Sequence, residues 1–329
     1  MTLCFLHCKG YKVGSSGNLA RGVGFALMAG LIWGMVFVAP VLLPEYSPAA
    51  LAFGRYLAFG VVALLLAWAD RDRLRTLKRQ DWLHALKLSL VGNIVYYLFL
   101  SSAIQAGGVP LASVLIGTLP VVIAVSANWH QRSLPWKRLL PSLLLMTCGI
   151  ACVNATEWQL LRAGAGAAYL LGAALGLVAV AAWTWYPIHN AAWLQQHPQH
   201  SPSTWTTAQG VATLPLAAMG WVLLGLWQGA TGTGGWVMGL GPRPTAFLGC
   251  MLAMGLLASW AGTWAWSRAS TLLPTALSGQ LIVFETLAAL AYGYLHRGQG
   301  PDAAALTGIG LLVTGVVVGV RAFHRLHAK

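Results

Sequence analysis

Charge is what this sequence has least of. Asp, Glu, Lys and Arg make 8% of its 329 residues, and the acids number only 7, against roughly 25% charged residues in an ordinary soluble domain. A water-facing globular surface cannot be assembled from so little. Chemical signatures are missing as well. There is no GxSxG, no HExxH, no Walker lysine in the Gly-rich GATGTGG and no pair of acids within an apolar stretch, so hydrolase, zinc-protease and ATP-driven readings have no residues to carry them. The 5 cysteines are an odd number, and Cys148, Cys152 and Cys250 fall inside apolar stretches, which excludes a secreted disulfide framework. Cys148 and Cys152 share a helical face without His, Asp or Glu beside them, so packing is expected there and no metal or other cofactor is called for. The net charge of +13 does not point to nucleic acid, because the bases are scattered over loops and no basic patch with interleaved aromatics occurs.

What is present is hydrocarbon. Apolar residues make 57% of the chain and the mean hydropathy is +0.68. They come in stretches of about 20, the length a helix needs to cross about 30 Å of bilayer core. Strands of a barrel would instead alternate over about 10 residues. Cutting at charges, Pro and Gly predicts ten spans: 22–43, 48–69, 82–105, 109–130, 138–155, 166–190, 203–227, 245–267, 272–295 and 302–322. The opening MTLCFLHCKGYK is too short and wrongly flanked for a signal peptide, and GSSGN reads as a flexible tail, so residues 1–21 are taken as an N-terminal tail and 323–329 as a C-terminal one.

Orientation follows from the bases. The two tails, the 70–81 and 131–138 loops and Arg268 hold 15 Lys and Arg, and the other side holds only Arg162, Arg243 and Arg297. Both termini are therefore expected in the cytoplasm, with the protein multi-pass in the inner membrane. The 193–202 connection, assigned to the same side, has no base; its His197 and His200 read as solvated rather than metal-binding.

The halves match weakly. GFALMAGLIWGMVF (24–37) lies over ALGLVAVAAWTWYP (174–187), aligning Trp33 with Trp183, and LPWKRLLPSLLLMTCGIACV (134–153) lies over GPDAAALTGIGLLVTGVVVG (300–319), aligning Gly149 with Gly315. The Gly-rich 229–244 connection absorbs the difference in offset. Residues 22–155 and 166–322 then form two five-helix repeats, and because five is odd the second is inverted. The expectation is an all-α integral membrane protein with a cavity between the repeats.

Trp33-Gly34 in the first span, Pro48 and Arg55 in the second and Leu119-Pro120 in the fourth, on a five-plus-five layout, resemble the drug/metabolite transporter superfamily, of the EamA-like ten-helix type. The ninth span departs from the family, which often has Glu-Pro where Glu285-Thr286 stands and a second Glu further on, near where Gln131 and Arg297 stand here. The abundance of Trp and Tyr is most similar to the bacterial aromatic amino acid exporters, and the resemblance implies export of aromatic and other neutral amino acids.

Glu285 is the one acid deep in any span. A charge at mid-bilayer costs about 2.5–3.5 kcal/mol on insertion scales, so it must face protein or water. Helical spacing puts Ser278, Glu285 and Tyr292 on one face, suited to lining a cavity. Two readings stay open: a ligand for a substrate ammonium or a proton carrier, and a neutral carboxyl acting as interhelical glue. Arg55 is expected to snorkel outward, the alternative being a partner for Glu285 or for a substrate carboxylate. Asn93, Tyr97 and Ser101 form a stripe in the third span, and Trp183, Tyr186 and Asn190 another in the sixth, where Pro187 can kink the helix. Trp33, Trp260 and Trp264 lie toward mid-span, where rings suit an aromatic or cationic solute better than an interfacial belt does. Pro110 and Pro120 bracket VLIGTL within the fourth span, where either a broken helix exposes backbone polar groups to a solute or an ordinary kink is expected. The GxxxG pairs Gly30/Gly34, Gly172/Gly176 and Gly315/Gly319 predict close helix packing.

Together these features favour a secondary carrier of small metabolites, amino acids among them, working by alternating access as an exporter or facilitator. Nucleosides, purines, sugars and drugs are the rival solutes, and an intramembrane enzyme or channel the rival class. Its partners are the solute and the bilayer; oligomerisation is not required, and proton coupling is left open.

Overall fold

The fold, given by a computed structural model, is described for residues 16–37, 42–155, 166–231, 240–298 and 300–327. Lys9, Lys12, Glu157, Arg162 and residues 232–239 of the Gly-rich 229–244 connection lie outside the described residues, as do the side chains of Ser101, Pro110 and Arg297. Ten long helices run through them, without strands: α1 (Ser16–Gly34), α2 (Pro48–Ala69), α3 (Arg79–Gly108), α4 (Leu111–Gln131), α5 (Trp136–Val153), α6 (Ala167–Gln196), α7 (Pro202–Thr231), α8 (Pro244–Leu272), α9 (Thr275–Leu295) and α10 (Ala303–His327). All but α1 are long and apolar enough to cross a bilayer by themselves.

Several helices overrun the predicted spans at their polar ends. α1 begins at Ser16 rather than 22, and α3 begins at Arg79. Hydropathy marks only the part in hydrocarbon, whereas backbone hydrogen bonding continues into the interface. Local starts are well marked: Ser47 Oγ accepts from Ala50 N at 3.2 Å with Pro48 in the first turn of α2, satisfying one orphan donor where proline needs none. The break beside Pro110 falls at Gly108, whose φ of 85° and ψ of 163° only glycine adopts readily.

Three helices of the first half pack on their counterparts in the second, and the other four cross over symmetrically. α2 lies on α7, α4 on α9 and α5 on α10, while α6 packs on α3 and α4 as α1 packs on α8 and α9. The irregularities repeat too. A π-helical turn occupies Leu90–Val95 in α3 and Met254–Ala261 in α8, and α4 and α9 are interrupted at Thr118 and Ile282. Two related five-helix units, inverted relative to each other, account for both patterns.

The GxxxG glycines all sit at these contacts. A Cβ on Gly34 would stand 2.5 Å from Ala288 Cβ, one on Gly172 2.6 Å from the backbone N of Gly107, and one on Gly315 3.1 Å from Ser142 O. Burial is inverted relative to a soluble protein: Leu65 and Trp68 are exposed, whereas Asn128, Asn190, Gln209 and Gln280 are buried. The outer leucines face lipid, and the polar groups are sheltered from it.

Candidate functional site

A cavity of about 510 Å³ lies between the two halves, within the size range of small-molecule sites. It reaches the exposed Pro44 at the end of the molecule opposite the described C-terminus. Seven of the residues singled out from sequence line it: Trp33, Arg55, Asn93, Tyr97, Trp183, Tyr186 and Glu285.

Helix contacts hold each of them in place. α1 rests on α9 through Gly30 and Gly34, directly against the backbone at Phe284–Glu285 and at Ala288, which sets the position of the carboxylate. Arg55 does not snorkel. Its Nε donates to Ser259 Oγ at 2.9 Å and its guanidinium lies 5.2 Å from the Tyr56 ring centre, contacts that hold it in the cavity wall. Asn93 Nδ2 donates to Thr213 Oγ1 at 3.0 Å. Trp33 Nε1 donates to Ala258 O at 2.8 Å, within the π-turn of α8, so its indole offers the cavity a satisfied, apolar face. Trp183 stacks on Tyr96 and Tyr186 at 4.6 and 5.3 Å and meets Trp33 edge-on at 5.8 Å.

Four expected residues stand elsewhere. Trp260 and Trp264 are parallel on one face, as their spacing predicted, but Trp260 Nε1 donates to Thr207 Oγ1 and Trp264 packs on Phe25. The π-turn at Met254–Ala261, which includes Trp260, rotates α8, so Ser259 and Thr263 line the cavity instead. Ser278 is buried in the first half of α9, and Tyr292 bonds Leu31 O, so neither shares the cavity with Glu285. Here the cause is Ile282: Ile282 N bonds Gly279 O and Glu285 N bonds Ile282 O, the tighter i→i+3 pattern that breaks the 3.6-residue register. Pro120 is buried in the first turn of the second α4 segment and Pro187 within α6. Sequence reasoning missed Tyr56, Phe59 and Tyr96; Tyr56 and Tyr96 adjoin residues it selected, but neighbours in an ideal helix point to different faces.

Electrostatically, the cavity holds one carboxylate and one guanidinium, and the ion pairs among the described residues do not include Arg55 with Glu285. At the mouth, Arg243 grips Glu45 and donates from Nη2 to Leu42 O at 2.7 Å, while Tyr46 OH donates to Leu240 O at 2.8 Å. The Arg243 hydrogen bond holds the Glu45 carboxyl below its ordinary range.

Comparison with known proteins agrees with this architecture. Residues 20–155 match the EamA-like transporter family. The "Inner membrane protein YtfF" of Escherichia coli K12 is 47% identical over 92% of this chain and 96% of its own length. This chain belongs to the EamA-like transporter family. The "Uncharacterized transporter YwfM" of Bacillus subtilis is 26% identical over 89% of this chain and 92% of its own. A solved crystal structure superposes with a TM-score of 0.70 over 93% of this chain and 99% of its own, at 17% identity, a likeness of fold alone.

In this EamA-like protein the far end of the cavity is plugged. Tyr186 OH donates to Gln209 Oε1 at 3.0 Å, and Gln209 Nε2 and Trp205 Nε1 both donate to Asn190 Oδ1, at 3.1 and 2.9 Å. Below them Trp193 stacks on Trp205 at 3.4 Å and donates to Asp81 Oδ1, while His197 and His200 stack on Trp193. The two histidines thus pack on the plug rather than standing in solvent. The plug ties α3, α6 and α7 together with a chain of hydrogen-bonded polar groups.

Proposed function

We propose that this protein is a secondary transporter of amino acids, aromatic ones included, in the bacterial inner membrane. The observation that carries this reading is the pair of charges not paired with each other, Glu285 and Arg55, in one cavity walled by Trp183, Tyr96 and Tyr97. A zwitterion satisfies both: its ammonium meets the carboxylate, its carboxylate meets the guanidinium, and its side chain lies on rings whose faces favour aromatic stacking and cations. Alternating access follows from a cavity open at one end and plugged at the other by hydrogen bonds, with rocking of the two halves exchanging the open end. The excess of bases at the plugged end favours both termini in the cytoplasm, and likeness to an inner membrane protein of Escherichia coli supports that membrane. Export or facilitation is the expected direction.

The test is uptake and counterflow in proteoliposomes with a panel of amino acids, nucleosides, purines and sugars. Competition by tryptophan and phenylalanine is expected. If the nucleosides or sugars compete and no amino acid does, the substrate assignment is wrong although the carrier assignment stands.

A further inference from the structure

The α4–α5 turn is built more firmly than a connection needs. Asn128 is buried, and its side chain closes the turn from inside: Nδ2 donates to Leu134 O at 3.0 Å, and Oδ1 accepts from Ser133 Oγ at 3.1 Å and Leu134 N at 3.0 Å. These bonds hold Arg132 in the left-handed conformation, φ 47° and ψ 37°, which costs a non-glycine residue energy. The result is an outward groove of about 470 Å³ lined by Trp129 and Trp136, whose rings meet edge-on at 6.3 Å, together with Leu134, Pro135 and Arg132.

Three features give the groove a chemistry. First, it is positive without compensation. Lys137 and Arg138 follow Arg132 in the same turn and the start of α5, no Asp or Glu occurs between Asp81 and Glu157, and none of the three bases takes part in an ion pair among the described residues. Second, the 18-residue α5 starts here behind Pro135 without a side-chain cap, so its first N–H groups and the positive end of its dipole face the same place. Third, the two indoles are 72% and 42% exposed at the very ends of membrane-spanning helices, the depth of the lipid headgroups. From Trp136 an apolar stripe continues down α5 through the exposed Leu140 and Leu144, one helical face pointing into the bilayer.

We propose that this groove seats one anionic phospholipid, its phosphate on Arg132 and the α5 N-terminus and an acyl chain along Leu140 and Leu144. A free phosphate would use the bases but has no need of the indoles or the leucine stripe. The site is separate from the central cavity and stands whether or not the substrate reading does.

Native mass spectrometry of the delipidated full-length protein, titrated with phosphatidylglycerol or phosphatidylcholine of identical acyl chains, tests the proposal. One phosphatidylglycerol is expected to be retained in preference to phosphatidylcholine. Arg132→Gln is expected to weaken that one molecule about tenfold or more, the effect of losing a charge-assisted hydrogen bond. Arg132→Gly guards against misfolding, because glycine suits the left-handed position; it should hold or raise the thermal midpoint and still lose the lipid. Equal retention of the two lipids, or retention unchanged in both variants, would overturn the site. Displacement of the lipid by glycerol phosphate at matched concentration would overturn the lipid as its occupant.

Discussion

The contact between α1 and α9 sets where Glu285 stands, and a single methyl group tests it. In Gly34→Ala the new Cβ would lie 2.5 Å from Ala288 Cβ, 2.9 Å from Ala289 N and 3.0 Å from Ala288 C. Carbon atoms rest at about 3.5–4.0 Å, so the helices must separate by about 1 Å, and backbone atoms cannot rotate out of the way. Overpacking of this kind costs about 1–3 kcal/mol. The better helix propensity of alanine returns up to about 1 kcal/mol. Gly24→Ala, on the same helix, is the internal control, since its Cβ meets nothing within 4 Å and only the propensity gain remains. The two variants should therefore differ by about 1–3 kcal/mol, Gly24→Ala melting at or above the parent in detergent and Gly34→Ala below it. Transport should fall with Gly34→Ala more than stability does, because misplacing a positioned group by about 1 Å can cost about 100-fold in rate. Equal melting midpoints and equal transport for the two variants would show that α1 does not press on α9 and that the account of the Glu285 position is wrong.

The other predictions concern charge and closure. If Glu285 carries a coupled proton, Glu285→Gln abolishes the dependence of transport on a pH gradient and leaves solute exchange intact; an unchanged dependence in liposomes removes that role. Arg55→Gln should raise the apparent KM for amino acids about tenfold or more while sparing decarboxylated analogues, which lack the group it would bind; equal losses for both would count against carboxylate recognition. Asn190→Leu orphans the buried donors of Trp205 and Gln209 at about 1–3 kcal/mol each. In a cysteine-free background carrying Thr263→Cys, it should increase labelling by an impermeant maleimide from the terminal side, and no increase would mean that the plug is not the closure. The Glu45 carboxyl, depressed by Arg243, contributes stability above its unfolded pKa of about 4.3 that is lost as pH falls through the lowered value. Parent and Glu45→Gln midpoints should thus differ slightly near neutral pH, the pair being exposed, and converge in acid.

Some of the site could be read along the chain and some could not. Glu285, Trp33, Trp183 and Tyr186 were legible because a carboxylate cannot face lipid and because mid-span rings are displaced from the interfaces where such rings usually sit. Trp260, Trp264 and Ser278 were misplaced for one shared reason, that helical spacing assumes 3.6 residues per turn. The π-turn at Met254–Ala261 and the tight turn at Ile282 each rotate one part of a helix against the other. Arg55 was misjudged because a long side chain near a helix end reaches water from most positions, and only a neighbour such as Ser259 decides otherwise.

The sequence by itself determined that the chain lives in a membrane, where its helices run and that its halves are related, because hydrophobic length and charge bias are local quantities that the bilayer reads directly. Only the tertiary structure decided which polar and aromatic groups share one hollow, that Arg55 and Glu285 face it without pairing, and that its far end is shut by Tyr186, Asn190, Trp205 and Gln209. Those facts depend on irregular turns and on contacts between residues as distant as Trp33 and Ala258, 225 positions apart, and no periodicity along a single helix encodes them.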